Sequence, residues 1–126
     1  MASSSSALSL AATLGSPPSQ LLTRDNFHGW KALVMPALRG AHVLSLIEGK
    51  ETVPEETLEI EDENKKKKLI LNPAFTAWVT RDQQVLRFLL NSLSPDVLAH
   101  VTDLTTSAEV WSALTALIST PSRSKI

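Results

Sequence analysis

The sequence predicts an all-α domain: a small orthogonal bundle of about five helices preceded by a disordered N-terminal tail. Trp30, Trp78 and Trp111 each lie in an amphipathic segment of their own. Apolar residues in those segments recur at spacings of three and four, which places them on one face of a helix. Helix-capping residues precede the segments, and no stretch alternates convincingly between apolar and polar residues over the length of a strand.

Length and composition fit a single domain with flexible ends. The chain has 126 residues, enough for one domain at most. Residues 1–23 contain no charged side chain, are rich in serine and are interrupted by Gly15, Pro17 and Pro18, so we expect a disordered tail. The helical domain is expected over 24–118, and residues 119–126 form a second short tail.

The serine- and alanine-rich start does not match a targeting peptide. No basic residue precedes Arg24, whereas secretory signals and organellar transit peptides carry basic residues early. No apolar run approaches the ~20 residues that span a bilayer. We therefore expect a cytoplasmic protein with no membrane segment; plastid or mitochondrial targeting by residues 1–23 is the alternative.

The first apolar stripe follows Asp25 and Asn26, either of which can cap a helix. Pro36 interrupts the stripe and should kink or restart the helix. A second short helix is expected over 41–47, with Gly49 as its C-terminal cap. The first stripe consists of Phe27, Trp30, Leu33, Val34, Ala37 and Leu38.

Residues 48–70 form a segment in which charged side chains, and not a helical apolar stripe, dominate. Eight acidic residues lie in 48–63, and four lysines follow at 65–68. Acids that precede lysines by four residues favour ion pairs on a helix, but each pair contributes only ~0.3 kcal/mol. Leu58 and Ile60 offer little apolar surface to bury. We expect a charged, solvated loop, with a transient helix as the alternative.

Three helices follow the charged segment, and each begins with a recognisable cap. The longest, over 73–92, and the short helix after it both start with a cap residue followed by proline, which loses no hydrogen bond at the first helical position. The third starts with a capping box, in which a threonine and a glutamate bond to each other's backbone N–H. The expected cap residues are Asn72, Ser94, Thr106 and Glu109.

The large apolar side chains on these stripes are expected to anchor the core, because each tryptophan can bury ~200 Å². Arg81 and Asp82 are adjacent on the longest helix and point apart, so both are expected to face solvent; a buried pair is the alternative. The expected core anchors are Phe27, Trp30, Trp78, Leu86, Leu89, Trp111 and Leu114.

No residue set in the sequence indicates a catalytic, cofactor or metal site. Cysteine is absent, which excludes thiolate ligands, disulfides and a cysteine nucleophile. His28, His42 and His100 lack the spacing of a zinc site, and no phosphate-binding glycine loop or Gly-x-Ser-x-Gly elbow is present. Residues 24–118 hold ten basic and thirteen acidic side chains, unlike the basic face of a nucleic-acid binder. We expect no enzymatic activity, no cofactor and no nucleic-acid partner.

Several blocks around the tryptophans, in this order, resemble the N-terminal region of plant copia-type LTR-retrotransposon Gag polyproteins. The resemblance extends over residues 21–118. The blocks are Asp-Asn-Phe-His-Gly-Trp-Lys at 25–31, Pro-Ala-Leu-Arg-Gly at 36–40, Asn-Pro at 72–73 with Trp78 and Asp82-Gln83, Ser-Leu-Ser at 92–94, and Thr-Ser-Ala-Glu-Val-Trp at 106–111.

The resemblance implies a capsid-like all-α fold and a structural role. In this family Gag assembles into the particle that packages the element's RNA, and helix faces supply the subunit contacts. The chain is therefore expected to be a non-enzymatic assembly module that self-associates through homotypic contacts. Family members commonly continue to a Cys/His zinc knuckle that grips RNA. Because this sequence has no cysteine, it resembles a truncated Gag, and RNA binding is not carried over.

Two alternatives to an assembly module stay open. A domesticated Gag-derived domain could hold a partner peptide in a groove between its helices. A relic of an element could have no selected function. An exposed apolar groove on the folded monomer would favour the partner peptide.

Overall fold

The structure is a computed structural model that describes residues 10–119, with side chains described up to Leu117. Residues 1–9 of the predicted N-terminal tail and 120–126 of the predicted second tail lie outside the described residues. Residues 10–14 are helical and form α1. The other elements in chain order are α2 (Phe27–Gly40), α3 (Leu44–Ile47), β1 (Thr57–Glu61), β2 (Lys67–Leu71), α4 (Pro73–Asn91), α5 (Pro95–Leu98) and α6 (Ser107–Ser119).

The prediction of an all-α bundle of about five helices is wrong. Across residues 10–119 the fold is mixed α/β, with six helices and one two-stranded antiparallel sheet formed by β1 and β2. This hairpin occupies the segment predicted as a charged loop. Glu61 stands opposite Lys67 across the strands, so this acid and lysine are cross-strand neighbours and do not lie along a helix surface. The run Leu-Glu-Ile-Glu at 58–61 has the period of a strand, which the helix-like order of charges obscures.

The last three helices begin where their predicted caps lie, whereas Asn26 occupies the N-cap position of α2 without a side-chain capping bond. Asn72 accepts a hydrogen bond from the backbone N–H two residues further on, at 3.0 Å. Ser94 accepts a long bond of 3.5 Å from the N–H of Val97. Thr106 and Glu109 each accept a bond from the other's backbone N–H, both at 3.2 Å, so the first turn of α6 has a reciprocal capping box.

Pro36 lies inside α2, which runs without a break from Phe27 to Gly40. Of the kink or restart expected at this proline, the restart does not occur. Beyond Gly40 the chain turns, and the Ala41 N–H donates to the carbonyl of Ala37 at 3.0 Å, which closes the last turn of the helix.

One core is shared by all six helices. α6 packs against both α3 and α4, so the last helix closes the domain. Leu14 of α1 is also buried. Fully buried apolar side chains come from α2 to α6 and the turns beside them: Leu22, Trp30, Val34, Leu38, Val43, Leu46, Ile47, Val85, Leu89, Val97, Val101 and Leu114.

The described part of the predicted disordered tail is instead held against the domain. Leu22 is completely buried and forms a parallel bridge with Leu93. Its N–H donates to the carbonyl of Ser92 at 2.8 Å, and its carbonyl accepts from the N–H of Ser94 at 3.0 Å. The domain therefore begins before residue 24, because Leu22 completes the core between α2 and the α4–α5 turn.

Candidate interaction surface

The β-hairpin exposes apolar side chains on both of its faces. Every residue of β1 is exposed, and in β2 only Ile70 is half-buried. Leu58 stands opposite Ile70, and Glu59 opposite Leu69. Residues that stand opposite each other share a face, so the two faces carry apolar side chains between charged ones. Leu69 is 68% exposed and Leu71 is 71% exposed.

The hairpin is anchored to the body through Asn72. The backbone N–H of this residue donates to the carbonyl of Glu56 at 2.9 Å, and its side-chain amide donates to the carbonyl of Glu55 at 2.7 Å. Its side-chain oxygen caps α4. One buried asparagine thus closes the base of the hairpin and starts the next helix, so the strands project from the N-terminal end of α4.

Both edges of the hairpin are open in the part of the chain that the structure describes, since the sheet there consists of β1 and β2 alone. Two backbone bonds show which residues bond inward, that is, toward the other strand of the hairpin. The Asn72 N–H donates to the carbonyl of Glu56 and the Asp62 N–H donates to the carbonyl of Lys66, both at 2.9 Å. Antiparallel pairing alternates inward and outward groups. The backbone N–H and C=O groups of residues 57, 59, 61, 67, 69 and 71 therefore point away from the hairpin.

The two edges carry opposite charge. Glu59 and Glu61 lie on β1, while Lys67 and Lys68 lie on β2. All four side chains are exposed. Each strand therefore offers a row of unpaired backbone groups flanked by charge of a single sign.

A bidentate ion pair lies just ahead of the hairpin, where the chain leaves α3. Arg81 donates to both carboxylate oxygens of Glu51, at 2.7 and 2.8 Å, and to the carbonyl of His42 at 3.0 Å. Ser45 also donates to Glu51, at 2.7 Å. The Arg81 guanidinium holds the pKa of Glu51 below its ordinary value of 4.5, partly opposed by burial and helped by the Ser45 hydroxyl. Arg81 was expected to face solvent, but it links α4 to the segment after α3.

Asp82, also expected to face solvent, is 1% exposed. One of its carboxylate oxygens accepts from the backbone N–H of Ser107 at 3.2 Å and from its hydroxyl at 2.5 Å. The other accepts from the side chain of Gln83 at 3.2 Å, and Gln83 also donates to the carbonyl of Thr105 at 2.9 Å. The carboxylate lies at the positive N-terminal end of α6, which stabilises its charge. Asp82 thus positions α6 against α4.

A shallow groove runs between the end of α3 and the outer side of α6. Its volume is about 960 Å³, and its lining includes the half-buried ring of Trp111. The ring also lies 5.9 Å from the ring of Trp30, so its inner side packs on the core. The apolar lining of the groove comes from Ile47, Leu104, Ala108, Trp111, Ala113 and Ala116.

The expected core anchors divide into two groups. Trp30, Leu86, Leu89 and Leu114 are buried, and the Trp30 indole N–H donates to the carbonyl of Ser92 at 3.1 Å. Phe27, Trp78 and Trp111 are partly buried and pack against the core from outside. Three of the seven expected core anchors are therefore partly exposed to solvent.

The structure does not bring the histidines together. His28 contacts the ring of Phe27, the carbonyl of His42 bonds to Arg81, and the ring of His100 bonds to Arg24 at 2.6 Å. Within residues 10–119, no group of three or more His, Asp or Glu side chains is arranged to hold a metal ion. No helix in the same range is long and apolar enough to cross a membrane.

Comparison with known proteins relates the chain to a retrotransposon polyprotein. It is 26% identical over 101 residues to the "Retrovirus-related Pol polyprotein from transposon RE1" of Arabidopsis thaliana. The aligned region is 80% of this chain and 6% of that polyprotein, so the chain spans a small part of its relative. No family model and no solved structure matches the chain. The similarity supports an origin in a plant retrotransposon.

Sequence reasoning missed the hairpin and Asp82. The hairpin's signal is the apolar–charged alternation at 58–61. Asp82 has no local signal of its own, because the groups that bond to it include a residue 25 positions away.

Proposed function

We propose that this chain is a non-enzymatic assembly module that corresponds to a Gag-like N-terminal part of a retrotransposon polyprotein and associates with copies of itself. The β-hairpin is the observation that carries this proposal. It projects from the body, exposes Leu69 and Leu71 by about two thirds, and presents two unpaired strand edges. Open edges and exposed apolar side chains are features that proteins cover by pairing with another chain.

The similarity to the transposon polyprotein supports the same proposal, as does the order of blocks around the tryptophans. We propose that the module acts in the cytoplasm and that RNA is not its partner. Lys67 of β2 stands opposite Glu61 of β1, which weakens its attraction for phosphate.

Sedimentation velocity of the full chain over a hundredfold range of concentration tests self-association. We expect the weight-average sedimentation coefficient to rise with concentration. A single monomeric species over the whole range, at both low and physiological salt, would contradict the proposal.

Partner-peptide binding is a second candidate, favoured by the groove between α3 and α6. Ala108 and Ala116 line it, and small residues leave room for an apolar side chain of a bound helix. Ala116→Arg should then abolish binding of a partner peptide without changing the melting temperature by more than a few degrees. The exposed Ala99→Arg, outside the groove, is the matched control. Equal binding by both variants would rule the groove out.

A further inference from the structure

We infer that copies of this chain join by adding β1 of one copy to the open edge of β2 of the next, which extends the two-stranded hairpin into a larger sheet. This inference rests on the proposed self-association and names its surface. The occupant of each edge is therefore a second copy of this chain.

The backbone pattern allows this pairing in the register of the hairpin itself. Residues 57, 59 and 61 of β1 direct their N–H and C=O groups outward, and so do residues 67, 69 and 71 of β2. Placing 59 of one copy opposite 69 of another brings all six outward residues into bonded pairs. A shift by one residue would bring inward-bonded groups to the junction and lose these bonds.

Charge selects this pairing among the possible ones. In the β1–β2 junction Glu61 of one copy stands opposite Lys67 of the other, as it does within the hairpin. Two β1 edges centred on Glu59 would place Glu59 opposite itself. Two β2 edges centred on Leu69 would place Lys67 opposite Leu71 and leave the lysines of both copies without acidic partners. Like charges across strands are destabilising, and edge lysines disfavour pairing with an equal edge.

The same junction covers apolar surface that the monomer leaves exposed. The side chains of Leu69 and Leu71 are exposed. They lie on the same face of the hairpin as those of the β1 residues 57, 59 and 61. An added β1 strand would place Glu59 and Thr57 of the neighbour beside these leucines, where the stems of the side chains pack on them. The exposed leucines of β2 thereby gain side-chain neighbours from the added strand.

This junction is heterologous, because it uses a different edge of each copy. Every added copy presents a new open β2 edge or a new open β1 edge. Such contacts produce rings or open chains of subunits and not closed two-fold dimers.

Proline variants of the full chain test the inference edge by edge. Glu59→Pro removes an outward N–H from β1, and Leu69→Pro removes one from β2, while the inward ladder bonds stay. We expect each variant alone to be monomeric at concentrations where the wild type associates. An equimolar mixture should form a 1:1 dimer, because one variant keeps a β2 edge and the other a β1 edge. Multi-angle light scattering reads out the mass, and far-UV circular dichroism checks the fold.

Other results overturn the inference in recognisable ways. If Glu59→Pro still dimerises alone and Leu69→Pro does not, two β2 edges meet. If both variants associate like the wild type, the contact lies elsewhere and the proposed self-association survives. A wild type that is monomeric at every concentration overturns both proposals.

Charge variants keep the test decisive if a proline variant fails to fold. Glu61→Lys should weaken self-association about fivefold, since an opposite-charge cross-strand pair becomes a like-charge one. Adding Lys67→Glu to it should restore the wild-type affinity. Glu63→Lys, an equal charge change in the turn, is the matched control and should have a smaller effect. Equal weakening by Glu61→Lys and Glu63→Lys, or no rescue by the double variant, would overturn the inference.

Discussion

At the scale of single residues, Asp82 is the buried charged residue that links α4 to the start of α6. Its carboxylate is buried and accepts hydrogen bonds from two neutral residues, Ser107 and Gln83. A buried charge of this kind is tolerated because hydrogen bonds and the N-terminal end of α6 satisfy it. Removing it leaves the Ser107 N–H and hydroxyl without their acceptor.

Asp82→Ala should therefore lower the free energy of unfolding by about 2–4 kcal/mol, because buried donors lose their partner and a small cavity opens. Urea unfolding followed by circular dichroism measures the change. Asp103→Ala, at an exposed position in the turn before α6, is the control and should change stability by less than about 0.5 kcal/mol. Similar losses for the two variants would show that the buried contacts of Asp82 do not stabilise the domain.

Glu51 makes stability depend on pH. Its pKa in the folded chain is lowered, chiefly by Arg81, so it binds a proton less readily when folded than when unfolded. Its contribution is complete above the ordinary pKa of 4.5 and is lost as the pH falls below it. The backbone N–H groups of Thr105 and Thr106 lower the pKa of Glu109 as well, which adds a second contribution with the same sign.

Glu51→Gln should cost about 1 kcal/mol at pH 7, since the pair is partly exposed and solvent screens it. Its melting temperature should also fall less steeply than that of the wild type between pH 5 and about pH 3. Thermal melts over this pH range measure both effects. An acid slope as steep as that of the wild type would show that Glu51 does not carry it.

At the scale of elements, the segment around Leu22 acts as a strap on the helical body. It has one buried side chain and two backbone hydrogen bonds, to Ser92 and Ser94. The carbonyl of Ser92 also accepts the indole N–H of Trp30. The strap and the central tryptophan therefore meet on the same carbonyl, and loosening one should loosen the other.

Leu22→Ala should lower the free energy of unfolding by about 2–4 kcal/mol, the usual cost of truncating a buried leucine. Leu21→Ala is a matched control, because the side chain of Leu21 is 39% exposed. We expect that control to cost less than about 1 kcal/mol. Chemical denaturation compares the two, and equal effects would mean that the strap is not part of the folded core.

The hairpin, unlike the segment around Leu22, contributes little to the core. Its residues are exposed except for the half-buried Ile70. Replacing residues 57–71 by Asn-Gly should change the free energy of unfolding by less than about 1 kcal/mol. The ends can be joined because the Asn72 N–H bonds to the carbonyl of Glu56. Asn72 is kept, since it caps α4. A loss above about 2 kcal/mol in thermal or urea unfolding would show that the hairpin supports the body.

At the scale of the whole molecule, we expect the helical body to unfold as one cooperative unit. Its fully buried side chains come from elements at both ends of the described chain, including Leu22 and Leu114, and α6 packs on α3 and α4. Tryptophan fluorescence and far-UV circular dichroism should therefore report the same unfolding midpoint. Trp30 and Trp111 lie 5.9 Å apart and so sense the junction of α2 with α6. Separate midpoints for the two probes would indicate independently unfolding parts.

The helices could be predicted because their signals are local. The starts of α4, α5 and α6 follow from Asn72, Ser94 and Thr106 with Glu109, whose partners lie within a few residues. The burial of Asp82 and of Leu22 could not be predicted, since both depend on groups far away in the sequence. The hairpin was predictable in principle from the alternation at 58–61, but the charges around it also satisfy the spacing of a helix.

By itself, the sequence determined the positions of the main helices, their caps and the relation to a retrotransposon polyprotein, because periodicity, capping and residue order are properties of the chain alone. Only the tertiary structure decided that residues 57–71 form a projecting hairpin, that Leu22 belongs to the core, and that Asp82 is buried at the start of α6. The reason is that burial and strand pairing are set by partners distant in sequence. The open edges of the hairpin, on which the proposed assembly depends, belong to this second group.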